Sequence, residues 1–207
     1  MEIQNNKEEV PFSHYLALFE QLDPQEAAAR CGVPFENGCF TLRLLNAEYR
    51  VAWPEYAITA DREDAFALTN LPCQTFLLRY LLEGKQAALS LGYKTFRDMP
   101  WGELYITTYT GRCLTRAAFT FGTQVPAFTA ACERMGGEKL SHGDAGYGFA
   151  FLGGYRMQIM IYAGDEEFPP SSQILYSDNF ADGFSAEDRV VAGDILISAI
   201  RQEMKRK

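Results

Sequence analysis

The sequence predicts an α+β fold: a single domain with a largely antiparallel sheet and helices packed on it. Two observations carry that reading. Two pairs of short apolar-alternating runs are each joined by a two-residue turn, which favours hairpins over a doubly wound sheet. Around them stand segments with helical spacing and recognisable caps. No internal repeat or low-complexity linker divides the 207 residues, so 1–207 reads as one domain with residues 1–11 as a flexible lead.

Phe12 to Gln21 reads as a short amphipathic helix carrying Tyr15, Leu16, Leu18 and Phe19. Asp23 then serves as N-cap, with Pro24 in the first turn and Glu26 three residues after the cap, for a helix that stops at Gly32. Phe40, Leu42 and Leu44 alternate with Thr41 and Arg43, and Tyr49, Val51 and Trp53 alternate with Arg50 and Ala52, giving a hairpin that turns at Asn46-Ala47 and ends at Pro54. Pro72 to Glu83 is a buried helix closed by Gly84. Leu104 to Thr110, β-branched and aromatic, reads as a strand. Helices follow over Cys113 to Phe121 and Val125 to Met135, the second stopped by Gly136-Gly137. Tyr147 to Leu152 and Tyr155 to Tyr162 form the clearest hairpin, because Gly153 and Gly154 accept positive φ without penalty. On its first strand Gly146, Gly148 and Ala150 share a face, which implies close packing there. Gln173 to Tyr176 is a short strand, and Ser185 with Asp188 caps a last helix whose Val191, Ile195, Leu196 and Ile200 face inward.

The formal charge of −8 argues against nucleic acid and anionic membrane as partners, because polyphosphate would be repelled. No stretch approaches the ~20 apolar residues that cross a bilayer. The opening MEIQNNKEEV has neither a basic nor an apolar leader region, so a cytoplasmic location is expected. The five cysteines, Cys31, Cys39, Cys73, Cys113 and Cys132, are scattered and never form a CxxC pair. They read as buried thiols in a reducing compartment rather than zinc or iron–sulfur ligands.

Three constellations can carry chemistry. The apolar run up to Tyr162 ends in Asp165, Glu166 and Glu167, followed by Phe168 and Pro169-Pro170. Asp165 and Glu167 can share a side and hold a hard cation or pair as acid and base; equally, Gly164-Asp165 can simply start a solvated turn. Arg97 and Trp101 lie in one Phe-Arg-Asp-Met-Pro-Trp-Gly-Glu loop, a guanidinium fork beside a stacking face; equally, Arg97 can pair with Asp98 or the 165–167 acids while Trp101 plugs the core. His142 with Asp144 two residues on suits a base and its orienting partner or an axial ligand, against a flexible surface histidine. Phosphate-loop, dinucleotide and nucleophile-elbow motifs are absent.

FLLRYLLEG (76–84), YKTFRDMPWGELY (93–105), FG (121–122), ERMGG (133–137), GD (143–144) and GDEEFPPSSQILYSD (164–178) occur in an order that resembles domain-of-unknown-function family 3786 of anaerobic bacteria and methanogens. The match covers about two thirds of the chain, from Leu71 onward. The family has no established activity. Some of its members carry an appended iron–sulfur domain and occur alongside one-carbon or corrinoid metabolism. The resemblance therefore implies a cytoplasmic protein of anaerobes linked to metal or tetrapyrrole cofactors. This chain departs from the fused members in lacking a cysteine-rich segment.

Three functions follow. The first is a binding or accessory protein for a small anionic molecule or a corrinoid or tetrapyrrole cofactor, using Arg97, Trp101, Asp144 and the Asp165–Glu167 strand end. The second is a metal-assisted hydrolase or lyase in which Asp144, Asp165 and Glu167, with His142 nearby, converge on a divalent cation. The third is an interaction module that meets a protein partner.

Overall fold

A computed structural model describes residues 7–88, 90 and 92–206. The first six residues of the expected flexible lead lie outside the described residues. Helix α1 runs Glu9–Glu20, starting three residues earlier than the apolar spacing predicts. Helix α2, Pro24–Cys31, begins as expected: the Asp23 carboxylate accepts from Gln25 N at 2.9 Å and Glu26 N at 3.1 Å, and Gly32 closes it at φ 64°.

Two antiparallel sheets follow. The first contains β1 (Phe35–Glu36), β2 (Cys39–Leu44), β3 (Ala47–Ala52) and β4 (Ile58–Ala60) in that order. Phe40 faces Val51, Leu42 faces Tyr49 and Leu44 faces Ala47, so one face of the β2–β3 hairpin is buried. The turn falls on Leu45-Asn46, one residue earlier than expected. A long-range contact decides this: Leu45 is buried at φ 53° and donates its N–H to Phe151 O at 2.8 Å.

The second sheet has the order β5-β9-β8-β7-β6, with β5 Tyr93–Thr95, β6 Glu138–Leu140, β7 Ala145–Ala150, β8 Arg156–Tyr162 and β9 Ser171–Ser177. Gly153 and Gly154 adopt φ 57° and 88° in the β7–β8 turn, as their sequence demands. That hairpin end touches the first sheet through a Leu44–Leu152 bridge. The close packing expected over the β7 glycines is real at Gly146, where a Cβ would lie 2.5 Å from His142 O, and not at Gly148, where the nearest atom is 3.8 Å away.

The expected strand over Leu104 to Thr110 is a helix. Helix α4 (Gly102–Tyr109) runs through a π-turn (Thr110–Thr115) into α5 (Arg116–Phe121). The β-branched and aromatic composition of this segment favours a strand. Burial recurs instead at Gly102, Tyr109, Cys113 and Ala117, a helical spacing, and Tyr109 stacks on Phe96 with ring centroids 4.0 Å apart. Tertiary packing outweighs intrinsic preference here.

Helix α3 (Leu71–Glu83) is capped by Asn70, and α6 (Val125–Arg134) packs on β7 and on α7. Helix α7 (Ala186–Met204) carries the predicted capping box, with Ser185 Oγ accepting from Asp188 N and Asp188 accepting from Ser185 N. It is buried on nearly every side and contacts α3, α4, α6 and the π-turn. One buried apolar cluster spans both sheets and these helices. Among the described residues, no helix is long and apolar enough to cross a membrane.

Candidate functional site

The acidic strand end is a turn that satisfies itself. Asp165 Oδ1 accepts from Glu167 N at 2.8 Å and Phe168 N at 2.7 Å, and Asp165 N donates to Phe168 O at 2.9 Å. Those two amides hold the Asp165 carboxyl below the ordinary carboxylate range. Glu166 and Glu167 are exposed. Asp144 ties off the same strand elsewhere, accepting from Ala163 N at 2.7 Å, and His142 is exposed in the preceding loop. Among the described residues, no group of three or more His, Cys, Asp and Glu side chains can hold a metal ion. Asp144, Asp165, Glu167 and His142 are therefore not brought together around one cation.

The Arg97–Trp101 loop closes locally as well. Arg97 Nε pairs with Glu103 at 2.9 Å, both side chains well exposed, rather than with Asp98 or the 165–167 acids. Asp98 accepts from Thr95 Oγ1 at 2.6 Å. Gly102 packs so closely that a Cβ would lie 2.1 Å from Phe96 O. That tight reversal leaves Trp101 at φ 62° and 74% exposed, so of its two readings the core plug is the one the structure rules out. Leu104, one turn on, is equally exposed.

The structure instead builds a groove of about 580 Å³ between α1, α3, the π-turn and α7, lined by Tyr15, Pro72, Phe76, Arg79, Arg112 and Val191. Its lining also includes Lys7 and Glu8 ahead of α1, and Glu187 and Asp188 from the first turn of α7. A second groove of about 260 Å³ abuts it, with Cys73, Arg116, Asp194 and Ser198 in its wall. Arg112 lines both.

Close contact between α7 and the π-turn positions these groups. A Cβ on Gly193 would meet Cys113 Sγ at 2.8 Å, so only glycine lets the two backbones approach this far. At that distance Arg112 and Arg116, four residues apart on one helix, both reach Asp194. In the larger groove Arg79 bonds Asp188 at 3.2 Å and Ser185 Oγ at 3.0 Å, and its guanidinium lies 5.3 Å from the centre of the Tyr15 ring. Burial pushes the Asp188 carboxyl upward, while Arg79 and Ser185 hold it back in part. Burial also raises the Cys73 thiol to about 11, so it is a packed thiol rather than a nucleophile. Arg79 Nε is buried without an acceptor, so this guanidinium has donor capacity its ion pairs leave unused.

A model of the family described as Domain of unknown function (DUF3786) matches residues 23–199. The chain belongs to this family. No curated protein and no solved structure matches it. Within the DUF3786 match lie Arg79, Arg112, Arg116, Asp188 and Asp194, so both guanidinium walls of the groove are part of the family domain. The α1 wall, with Tyr15, precedes the matched segment.

Sequence reading missed this part of the DUF3786 domain. Two local signals pointed toward it: Arg79 is the lone charge among the apolar residues from Leu71 to Leu82, and Arg112 and Arg116 share a helical face. Asp188 was legible only as a cap.

Proposed function

We propose that this DUF3786 protein is a cytoplasmic binding or accessory protein for a small organic anion, seated in the groove between α1, α3, the π-turn and α7. The observation that carries the reading is the position of Arg79 and Arg112 on one groove whose lining combines the apolar Phe76, Pro72 and Val191 with Lys7 and the acidic Glu8, Glu187 and Asp188. Guanidinium groups bind carboxylate and phosphate through paired hydrogen bonds, and an apolar wall supplies the desolvation that strengthens them. The volume of about 580 Å³ falls in the range typical of small-molecule sites.

The tetrapyrrole or corrinoid form of the reading fits less well. The chain has two histidines, His14 and His142. Neither lines the groove; both are exposed, His14 with its ring 5.3 Å from that of Tyr15. The residues present therefore do not fit an axially ligated ring in this groove. The carboxylate enzyme has no comparable support, since Asp165 and Asp144 each already bond a backbone amide.

The test is thermal unfolding of the purified protein against a panel of aryl and alkyl carboxylates and phosphates, beside Thr75→Trp, which fills the groove without touching an ion pair. At roughly a hundredfold excess over Kd, a true ligand raises Tm by about 5–10 °C in the wild type and not in the variant. No response from any anion, or equal responses in both proteins, would remove the groove as the site.

A further inference from the structure

Asp194 has one more cation than it needs. Arg116 Nη1 donates to Asp194 Oδ1 at 2.9 Å and its Nη2 to Ser198 Oγ at 2.7 Å, so Arg116 is fixed at both ends. Arg116 faces only the smaller groove. Arg112 bonds the other carboxylate oxygen, Oδ2, and faces both grooves with about half of its side chain (48%) exposed. If Arg112 leaves, Asp194 keeps a guanidinium and a charge partner, so no bare carboxylate is stranded. Arg79, the other guanidinium on the larger groove, has no such freedom, because Asp188 is buried and relies on it.

The backbone beneath Arg112 is also distinctive. Arg112 is the third residue of the π-turn, an arrangement with one extra residue per hydrogen-bonded ring that recurs at functional sites and alters the aim of the side chains it carries. Here it places Arg112 at the partition between the two grooves while Arg116, on the following α-helical turn, stays inside the smaller one.

We propose that Arg112 is an exchangeable anion clamp: a ligand's phosphate or carboxylate entering the larger groove takes Arg112 from Asp194, and Arg116 retains Asp194. The inference rests on the groove being the ligand site. It assigns the ligand a class, an anionic head carrying a compact aryl or branched alkyl body. The head sits between Arg79 and Arg112, and the body lies against Phe76, Pro72 and Val191. Inorganic phosphate satisfies only the first half of that description and phenol only the second.

Calorimetric titration of the full chain with phenyl phosphate, inorganic phosphate and phenol tests it. Phenyl phosphate binds the wild type more tightly than either fragment, and Arg112→Gln weakens it by about tenfold or more. The distinguishing variant is Asp194→Asn. Removing the competing carboxylate frees Arg112, so affinity rises by several-fold, roughly up to tenfold. Arg116→Gln acts in the opposite direction, because Asp194 then depends on Arg112 alone. Should Asp194→Asn fail to fold, arginine side-chain NMR of the wild type decides: phenyl phosphate shifts the Arg112 signals and leaves those of Arg116 in place.

Two failures are separable. Phenyl phosphate that binds, is blocked by Thr75→Trp, and is indifferent to or weakened by Asp194→Asn overturns the exchange and leaves the site standing. Absence of binding by phenyl phosphate, benzoate and naphthyl phosphate up to about 10 mM, a free energy below ~3 kcal/mol, overturns the site together with the clamp.

Discussion

Arg189 of α7 lies wholly inside the protein with its guanidinium 5.5 Å from the centre of the Phe96 ring. One nitrogen donates to Phe184 O at 3.1 Å and the other to Pro100 O, so a single side chain ties the start of α7 to the loop that presents Trp101. Among the described residues no carboxylate forms an ion pair with it, and its Nε has no acceptor. Burial accordingly pulls the group below its ordinary pKa. A cation held this way is tolerated because two carbonyl dipoles and a ring face replace part of its lost hydration.

Truncating Arg189 therefore leaves two carbonyls unpaired as well as a cavity. Arg189→Met is expected to cost about 3–5 kcal/mol, and Arg189→Lys to recover little of it, because a point charge cannot bridge carbonyls that lie in different directions. Urea unfolding measures the loss. Since Pro100 precedes Trp101, the same variants lower the fluorescence anisotropy of Trp101 in the folded baseline. A variant as stable as wild type would show that the guanidinium does not hold the loop.

The thiols give a second prediction. Cys31, Cys73, Cys113 and Cys132 are buried, and Cys39 at the start of β2 is partly exposed. Burial raises Cys31 and Cys73 to about 11 and pushes Cys113 and Cys132 higher still. At pH 8 only about one in a thousand molecules carries a thiolate at a site of that kind, and the reagent cannot reach it without local opening. A disulfide reagent should titrate Cys39 quickly in the native protein and all five thiols in guanidinium. Rapid modification of Cys73 would mean that the smaller groove opens far more than its packing implies.

What could be read in advance was local. Asp23, the Ser185–Asp188 box and the Gly153-Gly154 turn act within four residues, so their chemistry is complete in the sequence. The split into two sheets was not legible, because it is joined by Leu45 N and Phe151 O, partners 106 positions apart. The β-branched and aromatic composition of Leu104 to Thr110 favours a strand, and only the packing on Phe96 and α7 shows that the segment buries a helical face. The groove is of the same kind: Arg79, Arg112 and Asp188 come from segments far apart, and none resembles a motif alone. Asp165 to Glu167 drew attention through composition, and composition at a turn reports backbone needs first.

A turn of this kind leaves its mark on the titration of the Asp165 carboxyl. Two amides donate to it in the folded chain and none is held there in the unfolded one, so its folded pKa lies below the ordinary value of 3.8. A carboxyl of lowered pKa binds its proton more weakly when folded. Its contribution to stability is therefore complete above the unfolded value and disappears as pH falls through the folded one, below about 4. Carbon-detected titration should place Asp165 below its ordinary value of 3.8, with the Glu167 and Phe168 amides shifting at the same midpoint. In Asp165→Asn those amides should stop titrating while the turn persists, because the amide oxygen still accepts from both. If instead Asp165 titrates above 4, or its midpoint moves when Mg²⁺ or Ca²⁺ is added, the carboxylate faces a cation rather than its own turn.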